Sequence, residues 1–167
     1  GCMFPVLDSY APDITIVQAQ SCCKMNDLKE NLHAVNTRVE TACADAGRKP
    51  SEISVLAVSK KHPVERILAL RRLGQRAFGE NRIQEALPKI EALARQDIEW
   101  HFIGPLQSNK ARQAVELFDV IHTIDRPEIA ERLQFLLEQH WPERVVEVLL
   151  EVNVGGESQK AGVAPAE

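Results

Sequence analysis

Little in this sequence is extreme, and each absence closes off a class of protein. Neither sign of charge dominates: 20 basic residues against 24 acidic ones leave a net charge of −4. That balance gives no electrostatic reason to bind nucleic acid or an acidic membrane surface. No apolar run approaches the ~20 residues that a membrane-spanning helix needs. The four cysteines (Cys2, Cys22, Cys23 and Cys43) match no zinc or haem spacing, and the adjacent pair makes a poor disulfide framework. Free thiols, and hence a reducing cytoplasm, are the expectation. No Ser/His/Asp order, paired-carboxylate spacing or metal cluster stands out. The loop "VGGES" lacks Walker or dinucleotide spacing. What is present is an ordinary soluble composition, 44% hydrophobic and 26% charged over 167 residues. That suits one domain large enough to bury a core.

Residues 1–24 show neither the basic n-region nor the continuous apolar stretch of a signal peptide. They show no sustained helical period either. Met25 is followed at once by a helix start, so residues 1–24 are expected to be an unstructured or artefactual extension and residues 25–167 the folded part. From Asp27 the pattern is regular. Leu28, Leu32, Val35, Val39, Ala42 and Ala46 fall at helical spacing, Asp27 with Glu30 resembles a capping box, and Gly47 with Pro50 marks the stop.

Strand and helix patterns then alternate. Strands are expected at 53–59, 76–80, 99–104, 119–124 and 144–154. Helices are expected at 63–74, 82–94, 108–118 and 126–140. Pro88 should kink or shorten the second of these, Ser108 can cap the third, and Asp125 with Glu128 is spaced as a capping box for the fourth. Strict alternation with nearly all-apolar strands argues for an α/β fold with a parallel sheet covered by helices. An open doubly wound sheet and part of a (β/α)8 barrel both satisfy it. A barrel needs eight strands, so five βα units would make an incomplete one.

Either architecture gathers its ligand-binding residues at the carboxyl ends of the strands. There the sequence places Ser59, Lys60, Lys61 and His62, then Glu80 and Asn81, then the segment from Gly104 to Lys110. His122, Thr123 and Asp125 follow, and finally Glu151 and Asn153. The sharpest element is the amine that ends the apolar run "SVLAVSKKHP". A lysine is a poor nucleophile at its ordinary pKa, and desolvation or a neighbouring cation frees its lone pair for a Schiff base with a carbonyl. Lys60 has an apolar strand behind it and Lys61 and His62 beside it. The plain alternative is a pair of solvated strand-end charges. Alternation puts Lys60 on the face of Ser54, Leu56 and Val58, and Lys61 on the face of Val55, Ala57 and Ser59. Only one can point inward, and the pattern does not say which. His101 lies within a strand, where a core histidine is the ordinary reading, and Asn81 fits a helix cap.

The ordered segments "LAVSKKHP", "FGENRIQEALPKI", "WHFIGPLQSNKAR", "IHTIDR" and "EVNVGGESQKAG" closely resemble the pyridoxal phosphate homeostasis protein family over residues 25–167. The resemblance implies a TIM-barrel fold of the alanine racemase N-terminal type. It implies pyridoxal 5′-phosphate (PLP) held as a Schiff base on the lysine of "AVSK", which is Lys60. It also implies Asn81 beside the cofactor, with His101 and "GPLQSNK" lining the same end. The family has a small polar residue where Lys61 stands. The implied role is to carry or buffer PLP without catalysis, with effects on amino-acid and keto-acid balance. Implied partners are PLP itself and apo-forms of PLP-dependent enzymes, for a monomeric cytoplasmic protein. A racemase-like enzyme, a Schiff-base aldolase and an inactive fragment are the alternatives. The family continues for about three more βα units, and barrels commonly hold phosphate at the loops after strands seven and eight. The chain therefore reads as truncated at its C-terminus, with two sheet edges left open.

Overall fold

The computed structural model of the protein describes residues 13–17, 25–94 and 96–165. In chain order the elements are β1 (Asp13–Val17), α1 (Met25–Asp45), β2 (Ile53–Val58), α2 (Val64–Arg72), β3 (Ala77–Glu80) and α3 (Ile83–Ala92). Then come β4 (Glu99–Phe102), α4 (Ala111–Leu117), β5 (Val120–Ile124), α5 (Pro127–His140) and β6 (Glu147–Leu150).

The six strands form one sheet in the order β1-β2-β3-β4-β5-β6, every neighbouring pair parallel. A doubly wound sheet reverses its strand order at a switch point. This one never does, so each βα unit is added on the same side and the sheet is part of a (β/α)8 barrel. The two faces of the sheet differ. Phe78, Trp100, Phe102 and Ile121 from the strands are buried against Ile67, Ile83, Ala86, Val115, Ile129 and Leu133 from the helices. Burying each large apolar side chain in this layer contributes about 1.5–3 kcal/mol. The opposite face is concave. Ser54, Leu56, Ala77, Glu99, His101, Val120 and Glu147 line a cleft on it, the beginnings of a barrel interior.

Several local expectations are corrected. Asp13–Val17 pairs with β2 over Asp13↔Ile53 to Val17↔Ala57, so residues 1–24 are not wholly without structure. The β-branched run "DITIV" suits a strand, and β2 offers unpaired backbone groups along that side. That edge of β2 is therefore covered and not open. Helix α1 begins at Met25, which puts Asp27 inside the first turn and not at a cap. Its apolar stripe ends on buried Cys43, with Ala42 and Ala46 exposed.

Ser108 opens a 3-10 turn (Ser108–Lys110) and makes no capping hydrogen bond. Asp125 is drawn to the guanidinium of Arg126, 2.6 Å away, which leaves α5 without its capping box. Pro88 lies on an exposed face within α3, which closes at Ala92, two residues short of the expected end. The long last strand contracts to β6, because residues 141–144 form a turn in which Arg144 N–H donates to the Trp141 carbonyl. β6 forms one edge of the sheet and β1 the other, and Val148 and Leu150 on β6 are more than half exposed.

The loops after β3 and β4 meet in backbone contact. A Cβ on Gly104 would lie 2.1 Å from the carbonyl oxygen of Asn81. Gly104→Ala is expected to lower stability by about 2 kcal/mol or more, read as a reduced urea midpoint with an unchanged slope; an unchanged midpoint would show that the two loops are free to separate.

Candidate functional site

Strand β2 leaves the sheet through a tight turn. Ser59 N–H donates to the Gly79 carbonyl at 2.9 Å, which extends the β2–β3 pairing by one residue. His62 N–H then donates back to the Ser59 carbonyl at 3.0 Å. Lys60 and Lys61 are the two central residues of this four-residue turn. Lys61 adopts φ +63°. A positive φ at the third position defines a type II turn, which glycine or asparagine fills without strain. In a lysine it costs about 1–2 kcal/mol. The turn separates the neighbouring amines: Lys61 is exposed and Lys60 half-buried. Ser54 and Leu56 line the inner cleft, and β2 ends at Val58, two residues before Lys60.

The opposite face of the same strand end is held from below. Glu80, the last residue of β3, is fully buried. Its Oε1 accepts hydrogen bonds from Ser59 Oγ at 2.6 Å and from Lys89 Nζ at 2.7 Å. Lys89 Nζ also donates to the Ser59 carbonyl at 2.9 Å. That carbonyl therefore takes both the turn's own hydrogen bond and a charged one from α3. Glu80 Oε2 is buried with no hydrogen-bond partner among the described residues.

Asn81 directly follows Glu80, half-buried on the same rim as Lys60. The register Val58↔Gly79↔His101↔Val120 defines one ring of the barrel, and Lys60 and Asn81 stand two residues beyond it. The structure thus brings Lys60 and Asn81 to one level and sets His101 one layer deeper. The loop from Gly104 is fastened to the rim by Thr123 Oγ1, which donates to the Gly104 carbonyl at 2.5 Å. Arg126 adds a donation to the Leu106 carbonyl at 3.3 Å.

His101 has a partner that the strand pattern does not announce. Its Nδ1 lies 2.8 Å from Nε2 of His122 on β5. Burial is the main cause that holds both imidazoles at about 4, below their ordinary 6.5; for His122 the neighbouring His101 adds to the effect, while for His101 the charge of Asp119 opposes it. Both rings are therefore neutral at pH 7. A 2.8 Å contact between two neutral rings requires one to donate and one to accept. If His122 Nε2–H donates, His101 Nε2–H is left facing Glu99 Oε1, 3.8 Å away.

Sequence reasoning singled out Lys60, Asn81 and His101 and noted Ser59, Glu80 and His122 only as rim polar residues. It missed Lys89 altogether. Lys89 reads as one more surface lysine of an amphipathic helix, and only the fold puts its amine 2.7 Å from a buried carboxylate.

Among known proteins, the family described as alanine racemase, N-terminal domain, matches residues 28–167. The pyridoxal phosphate homeostasis protein of Vibrio cholerae is 44% identical over 145 residues, covering 84% of this chain and 61% of that protein. PipY of Synechococcus elongatus, solved with PLP bound, is 40% identical with a TM-score of 0.64, over 77% of this chain and 58% of that one. An unknown protein from Bifidobacterium adolescentis is 32% identical with a TM-score of 0.78, over 90% of this chain and 64% of that one. The chain thus spans about three fifths of the length of these relatives.

Two outcomes follow. Lys61→Asn should stabilise the chain by about 0.5 kcal/mol by removing left-handed strain, measured by urea denaturation; a loss of stability would show that the lysine side chain holds the turn. The histidine pair should make the fold acid-sensitive. From pH 6.5 down to about 4 the unfolded chain takes up protons that the folded one refuses. Stability then falls on acidification by at most about 1.4 kcal/mol per pH unit for each imidazole, less for the more exposed His122, and levels off below that window. Urea midpoints at pH 7 and pH 5 check this, and His122→Phe should reduce the difference.

Proposed function

The chain belongs to the alanine racemase N-terminal domain family, and on that premise we propose that it binds pyridoxal 5′-phosphate through Lys60 and carries or buffers the cofactor without catalysing a reaction on it. The observation that supports this most is the turn. It leaves Lys60 half-buried at the carboxyl end of a barrel strand and Lys61 exposed at positive φ. The rim fits the aldehyde end of the cofactor. Lys60 would hold the aldehyde carbon as a Schiff base, Asn81 would flank it, and the loop after β4 would close the side. When bound, the cofactor supplies an electron sink. What the protein supplies is binding and orientation.

The non-catalytic part of the reading draws on His101 and His122. Turnover on PLP needs an acid or base free to move a proton at the substrate. These two neutral rings are hydrogen-bonded to each other and lie a layer below Lys60. Apo-forms of PLP-dependent enzymes are the proposed recipients, with effects on amino-acid and keto-acid balance, and the proposed state is a cytoplasmic monomer. No helix among the described residues is long and apolar enough to cross a membrane.

A second reading is an inert fragment that holds no cofactor, favoured by the exposed apolar edge at Val148 and Leu150. Such an edge is where a further unit of a barrel would pack. The experiment is an absorbance scan of the chain with added PLP, then borohydride reduction and peptide mass mapping. A Schiff-base band with the reduced adduct on Lys60 is the expected result. Labels scattered over surface lysines, or none, would favour the inert reading.

A further inference from the structure

We propose that Lys89 is a positioning residue for Lys60. By pairing with Glu80 and donating to the Ser59 carbonyl, it fixes the peptide that joins Ser59 to Lys60, and with it the direction in which Lys60 leaves the strand. The inference rests on the function proposed above for its meaning, but its physical content concerns the turn alone.

Taking a carboxylate and an ammonium out of water is costly, and a buried ion pair is often no more stabilising than apolar residues of the same volume. Here the cost is aggravated, since Glu80 Oε2 is buried without a hydrogen-bond partner among the described residues. Stability alone is a poor reason for such a cluster. Its location offers another. Every polar contact of Lys89 Nζ goes to the end of β2 or β3: the Ser59 carbonyl at 2.9 Å and Glu80 Oε1 at 2.7 Å. The remaining bond of the cluster, Ser59 Oγ to Glu80 Oε1 at 2.6 Å, fixes the side chain of that same serine.

Ser59 is the first residue of the turn, and its carbonyl belongs to the peptide that joins it to Lys60. The orientation of that peptide sets the direction in which the Lys60 side chain leaves the strand. A carbonyl gripped by both His62 N–H and Lys89 Nζ cannot swing, and charge-assisted hydrogen bonds are the strong ones. Without Lys89 that peptide is held by the turn's own hydrogen bond alone, and the fixed difference in surroundings between Lys60 and Lys61 is lost.

The test uses Glu80→Gln/Lys89→Met, which removes both charges so that no carboxylate is left buried alone, and Lys89→Arg as the conservative variant. The full chain is treated with formaldehyde and cyanoborohydride, a probe that needs no cofactor site, and methylation at Lys60 and Lys61 is compared by peptide mass mapping. The same comparison is made for borohydride-trapped PLP, and melting temperature is recorded beside both. The expected result is a Lys60-to-Lys61 methylation ratio that differs from one in the parent chain, collapses toward one in the double variant and is substantially restored in Lys89→Arg. The PLP preference for Lys60 should fall about tenfold or more, the scale of losses from small misplacements of a reacting group. A double variant that melts cooperatively with the parent methylation ratio overturns the proposal. If the double variant does not fold, Lys89→Gln is judged on the same ratio. A ratio that shifts while PLP is never trapped on Lys60 in the parent refutes the proposed function and leaves the positioning role standing.

Discussion

The buried carboxylate of Glu80 is the constraint on which the rest of the site depends. It sits at the end of β3 with no exposure to water, and it draws a serine from β2 and a lysine from α3 onto one oxygen. Strands β2 and β3, already paired through their backbones, are tied here to α3 by charge. A carboxylate in that position cannot be left unpaired without a large penalty, so the three elements keep their relative placement as long as the chain is folded. The turn that follows Ser59 inherits this rigidity, and with it the direction of Lys60.

The sheet makes such a cluster consequential. Consecutive parallel pairing bends all the strands around one concave face, and every strand presents its carboxyl end to the same rim. Lys60, Asn81 and the loop from Gly104 reach that rim from three successive strands. Below them the interior is lined by a ring that includes His101, kept neutral by burial and paired with His122. The rim offers an amine and hydrogen-bonding groups, while the ring beneath offers two rings already engaged with each other. That arrangement is what the proposal of a carrier, holding a carbonyl compound without transforming it, rests on.

Much of this was legible in the sequence, and the limits have physical causes. The alternation of apolar runs with helical periods named the parallel α/β fold, because burial on both faces leaves strands with few polar residues. Lys60 stood out because an amine directly after a buried strand is chemically conspicuous. Helix caps were legible only in part. Asp125 and Ser108 have the right identity, but Arg126 competes for the first and a 3-10 turn displaces the second. The pairing of Asp13–Val17 with β2 depends on which strand edge is exposed, a property of the assembled sheet. Lys89, and the pairing of His122 with His101, were hidden for a related reason. Their partners lie nine and twenty-one residues away, and no local periodicity connects them. The proposed preference for Lys60 over Lys61 draws on a backbone angle, the positive φ of Lys61, that no sequence pattern carries.

The central claim is that the rim of this sheet presents Lys60 inward to the cofactor's aldehyde from a type II turn. The most direct measurement is a crystal structure of the chain grown with PLP, inspected at residues 59–62. The account predicts density continuous from Lys60 Nζ into the cofactor, with Lys61 still at positive φ and the Ser59 carbonyl still bonded to Lys89. Density joined to Lys61 instead, or a turn with negative φ at Lys61 and Lys60 facing solvent, would contradict it.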